Sequence, residues 1–130
     1  MRTASCSCGQ LKVTCEGEPI RISMCHCLAC QRRTGSAFAI QARWPADRVT
    51  IEGDAREFRR VGDEGGGATF RFCPTCGATV YWVNEGLPDM IMVPVGAFAD
   101  PTFPPPTIAV YSVRRHPWAV MPNLAIEELD

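Results

Sequence analysis

Seven of the eight cysteines fall in three tight motifs, Cys6-Ser7-Cys8-Gly9, Cys25-His26-Cys27-Leu28-Ala29-Cys30 and Cys73-Pro74-Thr75-Cys76-Gly77. Their spacing constrains the fold more than any other feature of the chain. Pairs of thiols separated by one or two residues, repeated at distant places, are the ligand pattern of zinc sites. Cys6 and Cys8 share a strand face by simple alternation, and Gly9 lets the chain bend after them. Pro74 stiffens the turn between Cys73 and Cys76, and Gly77 is suited to a positive φ. These two units supply four sulfurs for one closed, structural site that would clip the first strand to the later sheet. A redox dithiol at Cys73 and Cys76 would need a helix start in a βαβ context, and the surrounding sequence reads as strands.

The central motif differs in kind. Three soft ligands, Cys25, Cys27 and Cys30, can hold one zinc ion and leave its fourth tetrahedral position open, which is the arrangement of catalytic zinc. With Cys25 and Cys27 on the extended end of a strand, both sulfurs point to one face and His26 to the other. Cys27 to Arg33 holds good helix formers for a short turn, which Thr34-Gly35 ends. The N-terminus of that turn favours negative charge and lowers thiol pKa. Cys15 continues the apolar face of Leu11 and Val13 and reads as a small buried hydrophobe. The competing reading has Cys15 reach across a hairpin to join Cys25, Cys27 and Cys30. Both sites would then be closed and the protein a non-catalytic zinc scaffold or interaction module.

The 130 residues fit one domain spanning 1–130 that needs no crosslinks to be stable. A net charge of -1 with 21% charged residues gives no basic field for nucleic acid or membrane. The N-terminus lacks the apolar core of a signal peptide, which points to a cytoplasmic protein and a reducing compartment where thiols serve as metal ligands. Met90 to Ala99, broken by Pro94, is too short to span a bilayer. Alternation predicts strands over 11–15 and 20–24, paired as a hairpin, and over 37–44, 48–52, 56–61, 69–72, 79–83, 90–95 and 108–113. Residues 62–67 read as a hairpin loop, and the prolines within 101–106 exclude regular structure there. The fold class expected is all-β, with one short helical turn after the central motif.

The order CxCG, CHCxxC and FCPxCG resembles the glutathione-dependent formaldehyde-activating enzyme family, whose eukaryotic relatives include centromere protein V. The resemblance extends from Cys6 to about Trp118. It implies a β-tent, small twisted antiparallel sheets around a structural zinc, and two zinc ions per chain. Cys6, Cys8, Cys73 and Cys76 match the family's structural ligands; Cys25, Cys27 and Cys30 match its catalytic ligands. The implied activity joins glutathione and formaldehyde into S-hydroxymethylglutathione, a carbon-sulfur lyase reaction.

Three thiolates on Zn²⁺ leave a formal charge of -1, a weak Lewis acid poorly suited to activating water. Such a centre can take a substrate thiol as fourth ligand, because coordination deprotonates it. The expected partners are a small thiol and a small aldehyde. Arg32 and Arg33 follow the ligands directly and are candidates for binding substrate carboxylates. His26 reads as a packing residue or a proton shuttle, Thr34 and Ser36 as helix-end residues or donors near the metal, and His116 and Trp118 as pocket-lining residues. Three ligands hold a metal less firmly than four, so the open site is the one expected to be partly occupied.

Overall fold

The alternation of apolar and polar residues builds two sheets. The computed structural model describes residues 1–62, 65–121 and 124–129; Asp63 and Glu64 of the expected glycine-rich loop lie outside them. The smaller sheet has the order β1-β2-β5, from Arg2–Ser5, Lys12–Cys15 and Val49–Glu52. The larger contains β3 (Arg21–Cys25), β4 (Ala39–Pro45), β6 (Arg56–Val61), β7 (Gly67–Phe72), β8 (Thr79–Asn84), β9 (Met90–Pro94), β10 (Ile108–Val110) and β11 (Glu127–Glu128). Its order is β11-β10-β3-β4-β9-β8-β7-β6. Strand pairing is antiparallel except where β10 lies parallel to β3 and to β11. The proline-containing loop before β10 carries the chain back to make that parallel addition. The expected strands are present, with β10 ending at Val110 instead of Val113, and β1 and β11 are additions to them.

The expected hairpin between the second and third strands does not form. β2 pairs with β1 and β5, while β3 pairs with β4 and β10. The reason lies in the apolar faces. Leu11, Val13 and Cys15 on one side and Ile22, Ala42 and Trp44 on the other all enter one buried cluster. Strands in different sheets can bury these faces against each other, whereas neighbours in one sheet would turn them the same way. The 16–20 segment therefore crosses between layers, tied by Glu16 N to Arg48 O (2.9 Å), Ile20 N to Arg43 O (2.9 Å) and Trp44 Nε1 to Gly17 O (3.0 Å). Trp44 is fully buried, its indole N–H satisfied by that carbonyl.

Helix α1 spans Leu28–Thr34 and is capped at both ends. Cys27 is the N-cap, its sulfur accepting from Cys30 N at 3.2 Å, and Gly35 closes the helix in the left-handed region at φ 67°. Thr34 Oγ1 donates to Cys30 O at 2.9 Å and accepts from Ser36 N at 3.1 Å. Thr34 and Ser36 thus end the helix. Among the described residues no helix is long and apolar enough to cross a membrane.

One close approach fixes the small sheet to the first cysteine loop. The Gln10 amide donates from Nε2 to Asp54 O (2.7 Å) and accepts at Oε1 from Asp54 N (2.9 Å). Between them Gly53 sits at φ 100°, where an added Cβ would run into the Gln10 carbonyl. Gly53→Ala should cost more than about 1 kcal/mol in urea unfolding. Gly86→Ala, where a Cβ meets nothing within 4 Å, serves as the control.

Candidate functional site

The first and last cysteine motifs meet. The Sγ atoms of Cys6, Cys8, Cys73 and Cys76 lie within 4.8 Å of one another, with Cys6 to Cys8 and Cys8 to Cys73 each at 3.6 Å. Tetrahedral zinc with Zn–S near 2.3 Å would set sulfurs about 3.8 Å apart, so this donor set fits the ion. The sulfurs also act as acceptors. Cys6 Sγ takes the Leu11 N–H at 3.3 Å; Cys73 Sγ takes the Gln10 amide at 3.1 Å and the Thr75 N–H at 3.3 Å. Against the burial that raises it, these donors together with the Cys76 N–H hold the Cys73 thiol down at about 6. Gly9 at φ 85° and Gly77 at φ 80° make the two turns as their sequence context predicts.

Cys25, Cys27 and Cys30 form the second group, all three buried and again with Sγ atoms within 4.8 Å of one another. No fourth histidine, cysteine, aspartate or glutamate among the described residues belongs to it. Cys15 is fully buried in the core between the sheets and belongs to neither group, which removes the closed four-thiolate reading. The Cys25 and Cys27 thiols donate toward Cys30 and, with the Arg60 guanidinium, hold it down at about 2; Cys25 is pushed up by the same sharing with Cys27 and Cys30. Such a cluster has the donor chemistry of a soft-metal site.

One face of the three sulfurs forms a wall of a cavity of about 400 Å³. Its floor is the face of β3 and β4 turned away from the core. Two cross-strand pairs run along it, Ser23 with Gln41 and Arg21 with Arg43, and Cys25 lies at its end. Met92 and Trp82 continue the floor across β9 and β8, and Tyr111 stands beside the sulfurs with its backbone at φ 54°. Arg60 reaches in from β6, its Nη2 3.7 Å from Cys30 Sγ and its guanidinium 4.4 Å from the Phe70 ring centroid. Among the described residues three arginines and no carboxylate line this space.

The structure places the other expected residues around the cavity. Arg33 lies behind the sulfurs, stacked 4.5 Å over Trp82 and 5.2 Å over Phe70, where burial lowers its pKa and Cys30 counters that effect. Arg32 is exposed and faces an adjoining groove with Phe58 and Phe72. His26 is turned to the opposite side of β3, as alternation predicts, against Phe38. His116 does not line the cavity: its Nε2 meets Gln31 Oε1 at 2.8 Å and its ring packs on Trp118. Gln31 in turn donates to His26 O and Arg114 O, so this group braces the helix. The residues not anticipated are Arg21, Gln41, Arg43 and Arg60. The first was within reach, because Arg21 shares the strand face of Cys25 at a spacing of four.

A family model described as glutathione-dependent formaldehyde-activating enzyme matches residues 1–114. No curated protein matches the chain. The crystal structure of a Rhodobacter sphaeroides protein superposes with a TM-score of 0.58 at 16% identity, covering 98% of this chain and 99% of that one. That likeness concerns the fold.

The two cysteine groups make different demands on the protein. Purified chain should carry about two zinc ions, and Cys27→Ser about one with its thermal melt little changed. Cys73→Ser should lose its cooperative melt together with metal. Cys15→Ala should keep the full complement, read by metal analysis per chain.

Proposed function

Since the chain belongs to the glutathione-dependent formaldehyde-activating enzyme family, we propose that it is a zinc-dependent enzyme of the carbon-sulfur lyase type. It takes a small thiol such as glutathione and adds it to, or releases it from, a small aldehyde such as formaldehyde. The observation that carries this reading is the open side of Cys25, Cys27 and Cys30 at the wall of a cavity of about 400 Å³, within the range of small-molecule sites. Cys6, Cys8, Cys73 and Cys76 would hold a structural zinc beneath a β-tent, the whole chain forming one zinc-binding domain. Cys25, Cys27 and Cys30 would hold the catalytic one.

Cys25, Cys27 and Cys30 would hold the zinc ion, which when bound would supply one service, keeping the substrate thiol in its thiolate form. The chain's own residues do the rest. The three cysteines fix where the substrate sulfur can sit, on rigid elements at a strand end and a helix start. Arg60, and Arg33 from behind, offset the negative charge gathered by four sulfurs. The cavity keeps the aldehyde carbon beside the sulfur, so that proximity carries the rate. In the addition the thiol gives its proton to solvent, the S–C bond forms as the carbonyl π bond breaks, and the resulting alkoxide oxygen takes a proton from water to become the hydroxyl. Arg32 sits at the adjoining groove, where it would meet a substrate longer than the cavity.

The test is adduct exchange between glutathione and formaldehyde, followed by NMR. The zinc-loaded protein should accelerate it well above the uncatalysed rate, and Cys27→Ser should lose on the order of a hundredfold of that acceleration. Equal rates with the two proteins would end the proposal.

A further inference from the structure

Arg21 and Arg43 stand directly opposite one another on β3 and β4, and both face the cavity. Like charges in that register repel. Neither has an ion pair among the described residues, and the Nε of each is buried without a hydrogen-bond partner. Arg43 shows the effect, its pKa lowered by burial and by the nearby Arg21 charge. Other arginines on strand β6, on β7 and near the C-terminus do hold carboxylates: Arg59 meets Glu85 at 2.6 Å, Arg71 meets Glu57 at 2.9 Å and Arg115 meets Glu128 at 2.6 Å. A repelling pair inside a cavity, with no ion-pair partner among the described residues, suits an anion that comes from outside.

The floor between this pair and the sulfurs is polar in a matching order. Gln41 Oε1 is buried and unpartnered, and Ser23, its cross-strand neighbour, is also buried. Cross-strand pairs follow one another every ~7 Å along a strand, so Cys25 and Arg21 are separated by about 13 Å along β3. Arginine side chains leaning along the strand shorten the gap that a ligand must span.

Resting on the thiol-binding reading above, we propose that Arg21 and Arg43 form a carboxylate clamp at the far end of the cavity. The clamp selects an extended, peptide-like thiol: sulfur at Cys25, an amide N–H on Gln41 Oε1, and a terminal carboxylate held by both guanidinium groups. Small thiols without a carboxylate engage only the sulfur end. Arg21 and Arg43 are thus specificity residues, distinct from Arg60 at the reacting end.

The experiment separates the clamp from the chemistry by using S-methylglutathione, which keeps the amides and carboxylates but cannot ligate as a thiolate. Calorimetric titration into zinc-loaded protein should show binding that weakens about tenfold in Arg21→Gln and in Arg43→Gln, and less in Arg43→Lys. Binding of 2-mercaptoethanol, read from thiolate charge-transfer absorption after cobalt substitution, should be the same in all of them. Without ligand the glutamine variants should melt at or above the wild-type temperature, since each removes a repulsion. Undetectable S-methylglutathione binding at millimolar concentration, equal binding to wild type and the glutamine variants, or lowered melting would each overturn the clamp. Arginine-dependent binding alongside adduct exchange that ignores Cys27→Ser would leave the clamp standing and remove the proposed reaction instead.

Discussion

Seven sulfurs gathered into two groups, each with its members within 4.8 Å of one another, are the constraint on which the rest of the structure depends. Thiolates at such spacing repel unless a cation lies among them, and neutral thiols would fill the space with weak contacts. Any metal held there would therefore couple its affinity to fold stability through the same residues. The four-sulfur group joins the loop after β1 to the knuckle between β7 and β8, and so ties the small sheet to the large one at the edge of their shared core. Cys6 and Cys73 belong to that core cluster themselves. Gln10 links the four-sulfur group to the fold most directly, since its amide reaches Cys73 Sγ and the Asp54 backbone together.

The larger sheet does two different jobs with its two faces. Ile22, Ala42, Trp44 and Val93 turn one face into the core, where close packing fixes the strands. Arg21, Ser23, Gln41 and Arg43 occupy the other face of β3 and β4. A polar floor with unpartnered buried atoms lowers stability, and the apolar face beneath offsets that cost. This division explains why the site can be polar and charged yet rigid: the residues that hold it in place are not those exposed to its contents.

Much of this arrangement was legible in the sequence. Period-two alternation placed Cys25 and Cys27 on one face and His26 on the other, and Thr34-Gly35 marked the helix end. Gly77 adopts the positive φ that its place after the knuckle suits. The hairpin between the second and third strands was misread because Glu16 to Pro19 looks like a turn from local chemistry alone. Which sheet each strand joins is decided by the burial of facing apolar surfaces, and that is not local information. Arg32 and Arg33 follow the central cysteines in sequence, and the helix turns Arg32 toward an adjoining groove and Arg33 onto the Phe70 and Trp82 rings. Arg43 and Arg60 reach the cavity through strand pairing across the sheet, which no spacing near Cys25 reveals. Arg21 was different: alternation applied backward from Cys25 through Ser23 puts it on the same face.

Placing the sulfurs and the arginine pair on the same two strands has a mechanical consequence. β3 carries Cys25 at one end and Arg21 at the other, and β4 holds Arg43 in fixed register with it. The distance between the two ends of the cavity is then set by strand rise and cannot adjust as it would between two loops. Binding energy gained at the far end would be delivered as position at the sulfur end. A thiol seated on both would have few remaining freedoms when an aldehyde arrives, whereas a thiol seated on the sulfur end alone keeps its rotation. Discrimination between long and short thiols would therefore express itself in the bond-forming step as well as in binding, because remote contacts are used to orient the reacting atom.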